Sequence, residues 1–129
     1  MPLYLLDTNI LIDLSGPRRS RRFFERVLEE PAARLATSIL CAAEYAAGAG
    51  GREEDFLKDL IKAGELEILP LDAVEDAFRA GHLRRKDSLG LPDALILTTA
   101  LRHNAHLLTH DSEFLKKARS FVTASDPLD

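Results

Sequence analysis

Short apolar runs alternate with longer helical patterns from one end of the sequence to the other. The first run, Leu3-Tyr4-Leu5-Leu6, is continuously apolar and ends at Asp7, which is typical of a central parallel strand covered on both faces. Four further runs each follow a helical pattern, at residues 34–37, 66–69, 106–109 and 121–124. This alternation predicts an α/β fold in which βα units build a central parallel sheet of four to five strands.

The helical patterns are bounded by residues that suit helix ends. Ser38 and Asp111 are placed to act as N-caps, and Asp72 with Glu75 has the spacing of a capping box. The patterns cover residues 10–14, 20–30, 39–49, 53–63, 73–86, 92–103 and 112–119.

Length and charge narrow the class of protein. The chain has 129 residues and a net charge of −4, so we expect a single domain over residues 1–129. A mildly acidic chain has no general electrostatic affinity for nucleic acid or for anionic membranes. Any polyanion must therefore be bound by a local basic patch.

Cysteine content and hydropathy point to the cytoplasm. The single cysteine, Cys41, excludes an internal disulfide and a thiolate-rich zinc site. The apolar runs are far shorter than the roughly 20 residues that cross a bilayer, and no basic segment with a cleavage site precedes the first run. We therefore expect a cytoplasmic protein that does not enter a membrane.

Four acidic residues are candidates for a shared site. Ligands bind where the strands of a parallel sheet end, and Asp7 and Asp111 closely follow two of the predicted strands. Asp93, near the start of a helix, and Glu44, within another, are the other candidates. The aspartates also have an ordinary structural interpretation, because acids at these positions cap helices or favour the helix dipole.

Glu44 is the most informative of the four because of its surroundings. Its neighbours from Cys41 to Ala47 carry no other charge, which predicts a helix that is buried nearly all round. A buried carboxylate is costly unless a cation or hydrogen-bond donors compensate its charge. No Lys or Arg lies within a helical turn of Glu44, and a metal ion would provide the compensation. The alternative is that Glu44 points outward from an alanine-rich helix.

Four carboxylates in one pocket would require a divalent cation. Each close pair would repel by about 4 kcal/mol at an effective dielectric constant of about 20. Because oxygen is the only donor type, these ligands favour Mg²⁺ or Mn²⁺ over zinc.

Four segments around the candidate acids extend over essentially the whole chain: Leu5-Leu6-Asp7-Thr8-Asn9-Ile10-Leu11, Ser38 with Glu44-Tyr45-Ala46-Ala47-Gly48, Leu89-Gly90-Leu91-Pro92-Asp93, and Leu108-Thr109-His110-Asp111-Ser112-Glu113-Phe114. In sequence and in order, these segments resemble the motifs of PIN-domain ribonucleases, and especially of the toxins of VapBC toxin–antitoxin pairs. The resemblance implies a three-layer α/β/α fold and a metal-dependent cleavage of RNA that leaves a 5′-phosphate.

The same resemblance implies roles for individual residues and partners. The primary acids of the Mg²⁺ or Mn²⁺ site would be Asp7, Glu44 and Asp93, and Asp111 would complete the site directly or through water. Supporting positions around these acids, with local turn or capping roles as the alternative, would be Thr8, Asn9 and Thr109. The family also implies a homodimer and a cognate VapB-type antitoxin that blocks the groove.

RNA that approaches an acidic pocket needs nearby cations. His110, next to Asp111, is a candidate for contact with the substrate. Two basic clusters are candidates for phosphate contacts, with an ordinary solvated face as the alternative: residues 84–86, and the denser group of Arg18, Arg19, Arg21 and Arg22.

Two other functions remain open from the sequence. Receiver and haloacid-dehalogenase-like phosphotransfer domains also place acids and magnesium at strand ends. A dehalogenase-like site needs a second acid where this chain has Asn9. A receiver needs a lysine after its last strand, where this chain has Ser125. The other alternative is a PIN-like module that binds RNA or a protein without cleaving it.

Overall fold

A computed structural model describes residues 2–15, 25, 29–30 and 32–128. Five strands form one parallel sheet in the order β3-β2-β1-β4-β5: β1 Leu3–Leu6, β2 Arg34–Ser38, β3 Glu67–Leu69, β4 His106–Leu108 and β5 Ala124–Ser125. Six helices lie within the described residues: α1 Thr8–Ser15, α2 Ile39–Gly48, α3 Gly51–Lys62, α4 Glu75–Asp87, α5 Leu91–His103 and α6 Ser112–Ala118. The predicted α/β fold with a central parallel sheet is confirmed.

The first strand lies in the middle of the sheet, which explains its continuous apolar sequence. Leu5 and Leu6 are fully buried in β1, as are Leu107 and Leu108 in the neighbouring β4. The chain passes from β1 to β2 on one side and returns later to β4 on the other side, so the strand order reverses at β1. In open α/β sheets this reversal opens a crevice at the carboxyl ends of the strands.

Several element boundaries differ from those predicted. The edge strand β5 is Ala124–Ser125 rather than residues 121–124, because the amides of Phe121 and Val122 both bond back to the Ala118 carbonyl, at 2.9 and 3.0 Å. The helix predicted for residues 20–30 lies almost entirely outside the described residues. In the described part of the chain, no helix combines the length and apolar character needed to span a membrane.

The predicted capping box before α4 is half correct. Asp72 Oδ1 accepts hydrogen bonds from the backbone amides of Val74 and Glu75, at 3.1 and 2.7 Å. The return bond does not come from Glu75, because the Asp72 amide donates to Asp76 Oδ2 at 2.7 Å. Asp76 is buried, and its carboxylate also accepts a hydrogen bond from Arg102 Nε on α5.

The Asp76–Arg102 pair joins α4 to α5, the helix that carries Asp93. Burial acts to raise the pKa of Asp76, but hydrogen bonds from Arg102 and from the Asp72 backbone outweigh it, so the pKa lies below its ordinary value. An acid whose pKa is depressed in the folded state stabilises the fold above its unfolded pKa, and this contribution is lost as the pH falls through the folded value.

We predict that Arg102→Gln lowers the free energy of unfolding at pH 7, because it leaves the buried Asp76 charge without its cation. Urea unfolding at several pH values will measure the difference from wild type. That difference should be largest at neutral pH and should shrink as the pH falls from about 4, the ordinary aspartate pKa, toward the depressed pKa of Asp76. Arg84→Gln, an exposed change on α4, is the control, and an equal effect of both variants would contradict the prediction.

Candidate active site

Asp7 lies at the carboxyl end of the central strand with both carboxylate oxygens engaged. Its backbone amide donates to the Leu108 carbonyl at 3.0 Å, which extends the β1–β4 pairing by one residue. Asp7 Oδ1 accepts a hydrogen bond from the Thr8 amide at 2.8 Å, and Oδ2 accepts one from Thr109 Oγ1 at 2.7 Å. Asp7 is buried, so these donors stabilise an ionised side chain that water scarcely reaches.

Thr109 connects the ends of β1 and β4 through its side-chain oxygen. Besides donating to Asp7, Thr109 Oγ1 accepts hydrogen bonds from Asn9 Nδ2 at 3.3 Å and from the Asp111 amide at 3.1 Å. Asn9 Oδ1 in turn accepts the His110 amide at 3.1 Å. The predicted supporting positions Asn9 and Thr109 therefore hold Asp7 and the segment that leads to Asp111 in one network.

Glu44 lies on α2 with its side chain exposed rather than buried. The prediction that this helix is buried nearly all round is wrong, because only Cys41 and Tyr45 of α2 are buried. Its alanines instead form an exposed face, since small apolar residues carry little information about burial. Glu44 is nevertheless tied to the strand end, because Thr8 Oγ1 donates to Glu44 Oε1 at 3.2 Å.

Asp93 is half-buried in the first turn of α5 and is influenced by the other three acids. Burial is the largest cause that raises its pKa, to about 6, and the charges of Asp7, Asp111 and Glu44 raise it further. Carboxylates from three other segments of the chain thus add to the effect of burial in disfavouring ionisation of Asp93.

Asp111 has the capping role expected of it and also contributes to this acidic group. Asp111 Oδ1 accepts hydrogen bonds from the amides of Glu113 and Phe114, both at 3.1 Å, and so caps α6. The second oxygen takes no part in these cap bonds. The Asp111 side chain can therefore cap α6 and also act electrostatically on Asp93.

The chemistry of this acidic quartet, Asp7, Glu44, Asp93 and Asp111, fits a hard divalent cation. All four donors are carboxylates. Burial and then the charges of the other three acids raise the pKa of Asp93, and a bound cation would offset the repulsion between these charges. Among the described residues, no three His, Cys, Asp or Glu side chains are already gathered closely enough to hold an ion. Binding would therefore require the exposed side chains to adjust.

Comparison with known families gives a match over most of the chain. The model of the PIN domain matches residues 4–120. The chain belongs to the PIN-domain family. None of the curated proteins matches it significantly.

Solved structures share the fold of this PIN domain over nearly their full length. VapBC-1 from nontypeable Haemophilus influenzae is 26% identical, with a TM-score of 0.74 and coverage of 98% of this chain and 99% of that one. A toxin–antitoxin complex from Klebsiella pneumoniae is 29% identical (TM-score 0.73, coverage 96% and 97%). VapBC2 from Rickettsia felis, bound to a promoter DNA fragment, is 25% identical (TM-score 0.72, coverage 96% and 98%). These matches confirm the resemblance to VapBC proteins.

His110 of this PIN domain is held between two acids that sequence reasoning missed. Its Nε2 lies 2.5 Å from Asp13 Oδ2 on α1, and its Nδ1 lies 2.7 Å from Asp126 Oδ1 just after β5. Both ring nitrogens thus lie within hydrogen-bond distance of a carboxylate oxygen. The ring therefore has no nitrogen left for direct contact with RNA in this arrangement.

The two acids that hold His110 each have a signal in the sequence. Asp13 follows Asn9 by four residues and so lies on the same face of α1, one turn further along. Asp126 directly follows β5 as Asp7 directly follows β1, but β5 was predicted to end earlier in the sequence, which hid this similarity.

The two predicted basic clusters differ in what the structure describes. Residues 84–86 lie exposed in the last turn of α4. Outside the described residues lie Arg18, Arg19, Arg21 and Arg22.

We predict that Asp93→Asn stabilises the metal-free protein. An acid whose pKa is raised by folding destabilises the folded state once it ionises, so wild-type stability should decline as the pH rises from about 4 to about 6. At pH 7.5 in EDTA, the variant should gain about 1 kcal/mol, a modest value because solvent screens the half-buried carboxylate. Urea unfolding with Glu65→Gln as an exposed control measures this, and a loss of stability in Asp93→Asn would contradict it.

Proposed function

We propose that this PIN domain is a metal-dependent endoribonuclease, the toxin component of a type II toxin–antitoxin system. Membership of the PIN family and the likeness to VapBC structures support a toxin nuclease role. The observation that carries the proposal is the acidic quartet at the carboxyl edge of the sheet, where burial and the charges of Asp7, Asp111 and Glu44 raise the pKa of Asp93 to about 6. RNA is itself negatively charged and is repelled by these acids, so it can bind beside them only when cations are present.

The residues that would hold Mg²⁺ or Mn²⁺ are Asp7, Glu44 and Asp93, with Asp111 completing the site directly or through water. Held by these residues, the ion would supply positive charge that polarises the scissile phosphate, lowers the pKa of a water and stabilises the leaving oxygen. Hydrolysis of this kind places few chemical demands on the protein beyond positioning and charge.

The chain's own residues supply that positioning. Thr109 and the Thr8 amide fix both oxygens of Asp7, and the Thr8 hydroxyl orients Glu44. Since Thr8 reaches both acids, it sets the spacing between the end of β1 and helix α2. RNA phosphates would be bound by cations around this edge, for which the exposed residues 84–86 and the arginines at positions 18, 19, 21 and 22 are the candidates.

We predict that Asp7→Asn and Asp93→Asn each lower Mn²⁺-dependent cleavage of single-stranded RNA by about 100-fold or more, the usual loss when a charge that stabilises the reacting group is removed. Gel assays with purified protein will measure cleavage, and circular dichroism will check the fold. Glu65→Gln, an exposed acid outside the quartet, should retain wild-type activity. Undiminished cleavage by the double variant would refute the assignment.

Two assays separate this proposal from its alternatives. A phosphotransfer domain would form a phosphoaspartate on brief incubation with acetyl phosphate, which we do not expect. A module that has lost its site would show no rise in melting temperature with Mn²⁺, whereas a working site should show a rise that disappears in Glu44→Gln.

We also propose that the chain forms a homodimer and binds a VapB-type antitoxin that covers the acidic edge. The solved relatives above include toxin–antitoxin complexes, and this chain exposes large apolar side chains, such as Val74 and Phe78 at the start of α4, which favour association.

A small protein encoded next to this chain should copurify with it and abolish its cleavage of RNA. Light scattering on the toxin alone should give twice the chain mass. A monomer whose activity is unaffected by that neighbour would contradict the partner proposal while leaving the nuclease proposal standing.

A further inference from the structure

A small polar pocket opens beside the acidic quartet and is lined in part by a lysine side chain. Its volume is about 180 Å³, and it lies between the α4–α5 turn, the start of α5 and helix α6. Three acids line it, Asp93 and Asp111 of the quartet and Glu113 on α6, and Lys117 lines it as well. The pocket thus brings an ammonium group next to the acids proposed to hold a metal.

Lys117 is fixed from its far end. Its Nζ donates to the Ser88 carbonyl at 3.3 Å, across the pocket from α6. Ser88 ends α4 in the left-handed conformation, with φ 55°, so its carbonyl belongs to a defined turn rather than to a helix. The contact places the half-buried Lys117 side chain beside the turn that leads into α5 and Asp93.

The Lys117 ammonium influences Asp93 without being paired to a carboxylate. Its charge acts to lower the pKa of Asp93, against the combined effect of burial and the neighbouring acids. Among the described residues, no carboxylate oxygen lies within 4.0 Å of Lys117 Nζ. An ammonium has three N–H donors, and the Ser88 contact engages one of them.

A cation in this position opposes metal binding by itself, because it repels the divalent ion that the acids attract. It becomes favourable when an anion enters together with the metal. In a nuclease that anion is a phosphate of the RNA, for which a lysine is a suitable point-charge partner.

We propose that Lys117 binds a backbone phosphate of the RNA adjacent to the scissile bond, so that the pocket is a phosphate subsite of the active site. This assignment rests on the proposed ribonuclease function. Lys116, one residue earlier on α6, is exposed and does not line the pocket, which makes it a matched control for charge and for helix-dipole effects.

The test compares wild type with Lys117→Gln, Lys117→Arg and Lys116→Gln. Lys117→Gln should raise the KM for single-stranded RNA about 10-fold, the loss expected for one charge-assisted contact, with kcat little changed. The slope of log(kcat/KM) against log[salt] should become shallower by about 0.7, as for the loss of one phosphate contact to a single strand. Lys117→Arg should retain most of the wild-type KM, and Lys116→Gln all of it.

Mn²⁺ titration by calorimetry, without RNA, supplies an independent readout of opposite sign. Lys117→Gln should bind Mn²⁺ at least as tightly as wild type, since a repelling charge has been removed. A structural role for Lys117 would instead weaken both metal and RNA binding.

The outcomes separate this assignment from the proposed function. Equal KM and salt dependence for wild type and Lys117→Gln, equal losses in Lys116→Gln and Lys117→Gln, or weaker Mn²⁺ binding by Lys117→Gln would each overturn the subsite while leaving the nuclease in place. A wild-type chain that cleaves no RNA would overturn the proposed function and the subsite together.

Discussion

The buried charge of Asp7 is the constraint around which this end of the molecule is organised. A carboxylate at the end of the central strand is stable only where donors meet both of its oxygens. Thr8 and Thr109 provide these donors. Thr8 also donates to Glu44. Thr109 also accepts hydrogen bonds from Asn9 and from the Asp111 amide. Stabilising one charge thereby positions most of the surrounding acids.

Most of the fold could be predicted because its signals are local. The continuous apolar sequence of β1, the N-caps Ser38 and Asp111, and the alternation of strands with helices follow from residues that are close in the chain. One error, the misplaced start of β5, has a local cause in the bonds from Phe121 and Val122 to Ala118. Another arose where a distant partner decided the outcome. Asp76 replaces Glu75 in the cap of α4 because it is also held by Arg102 on α5, and no local pattern contains that contact.

The candidate site was less predictable than the fold. The order of strands explains why Asp7 and Asp111 lie at one edge of the sheet. The exposure of Glu44 contradicts the argument made from its uncharged neighbours. An alanine-rich helix face is buried only where another element packs against it, and the local sequence does not reveal that element. Asp13, Asp126 and Lys117 were not predicted as functional because their relevance depends on which segments meet across the sheet edge. Residue propensity and sequence spacing do not reveal such tertiary contacts between distant segments.

The contact between His110 and Asp126 ties the segment after β5 to the turn that carries Thr109 and Asp111. Leu128 continues this connection, because its amide donates to Asp126 Oδ1 at 3.0 Å. An affinity tag or a fluorescent label fused after this segment would therefore lie close to the acidic quartet rather than at a remote position. For such labelling, the exposed turn around Gly64 between α3 and β3 is the safer attachment point.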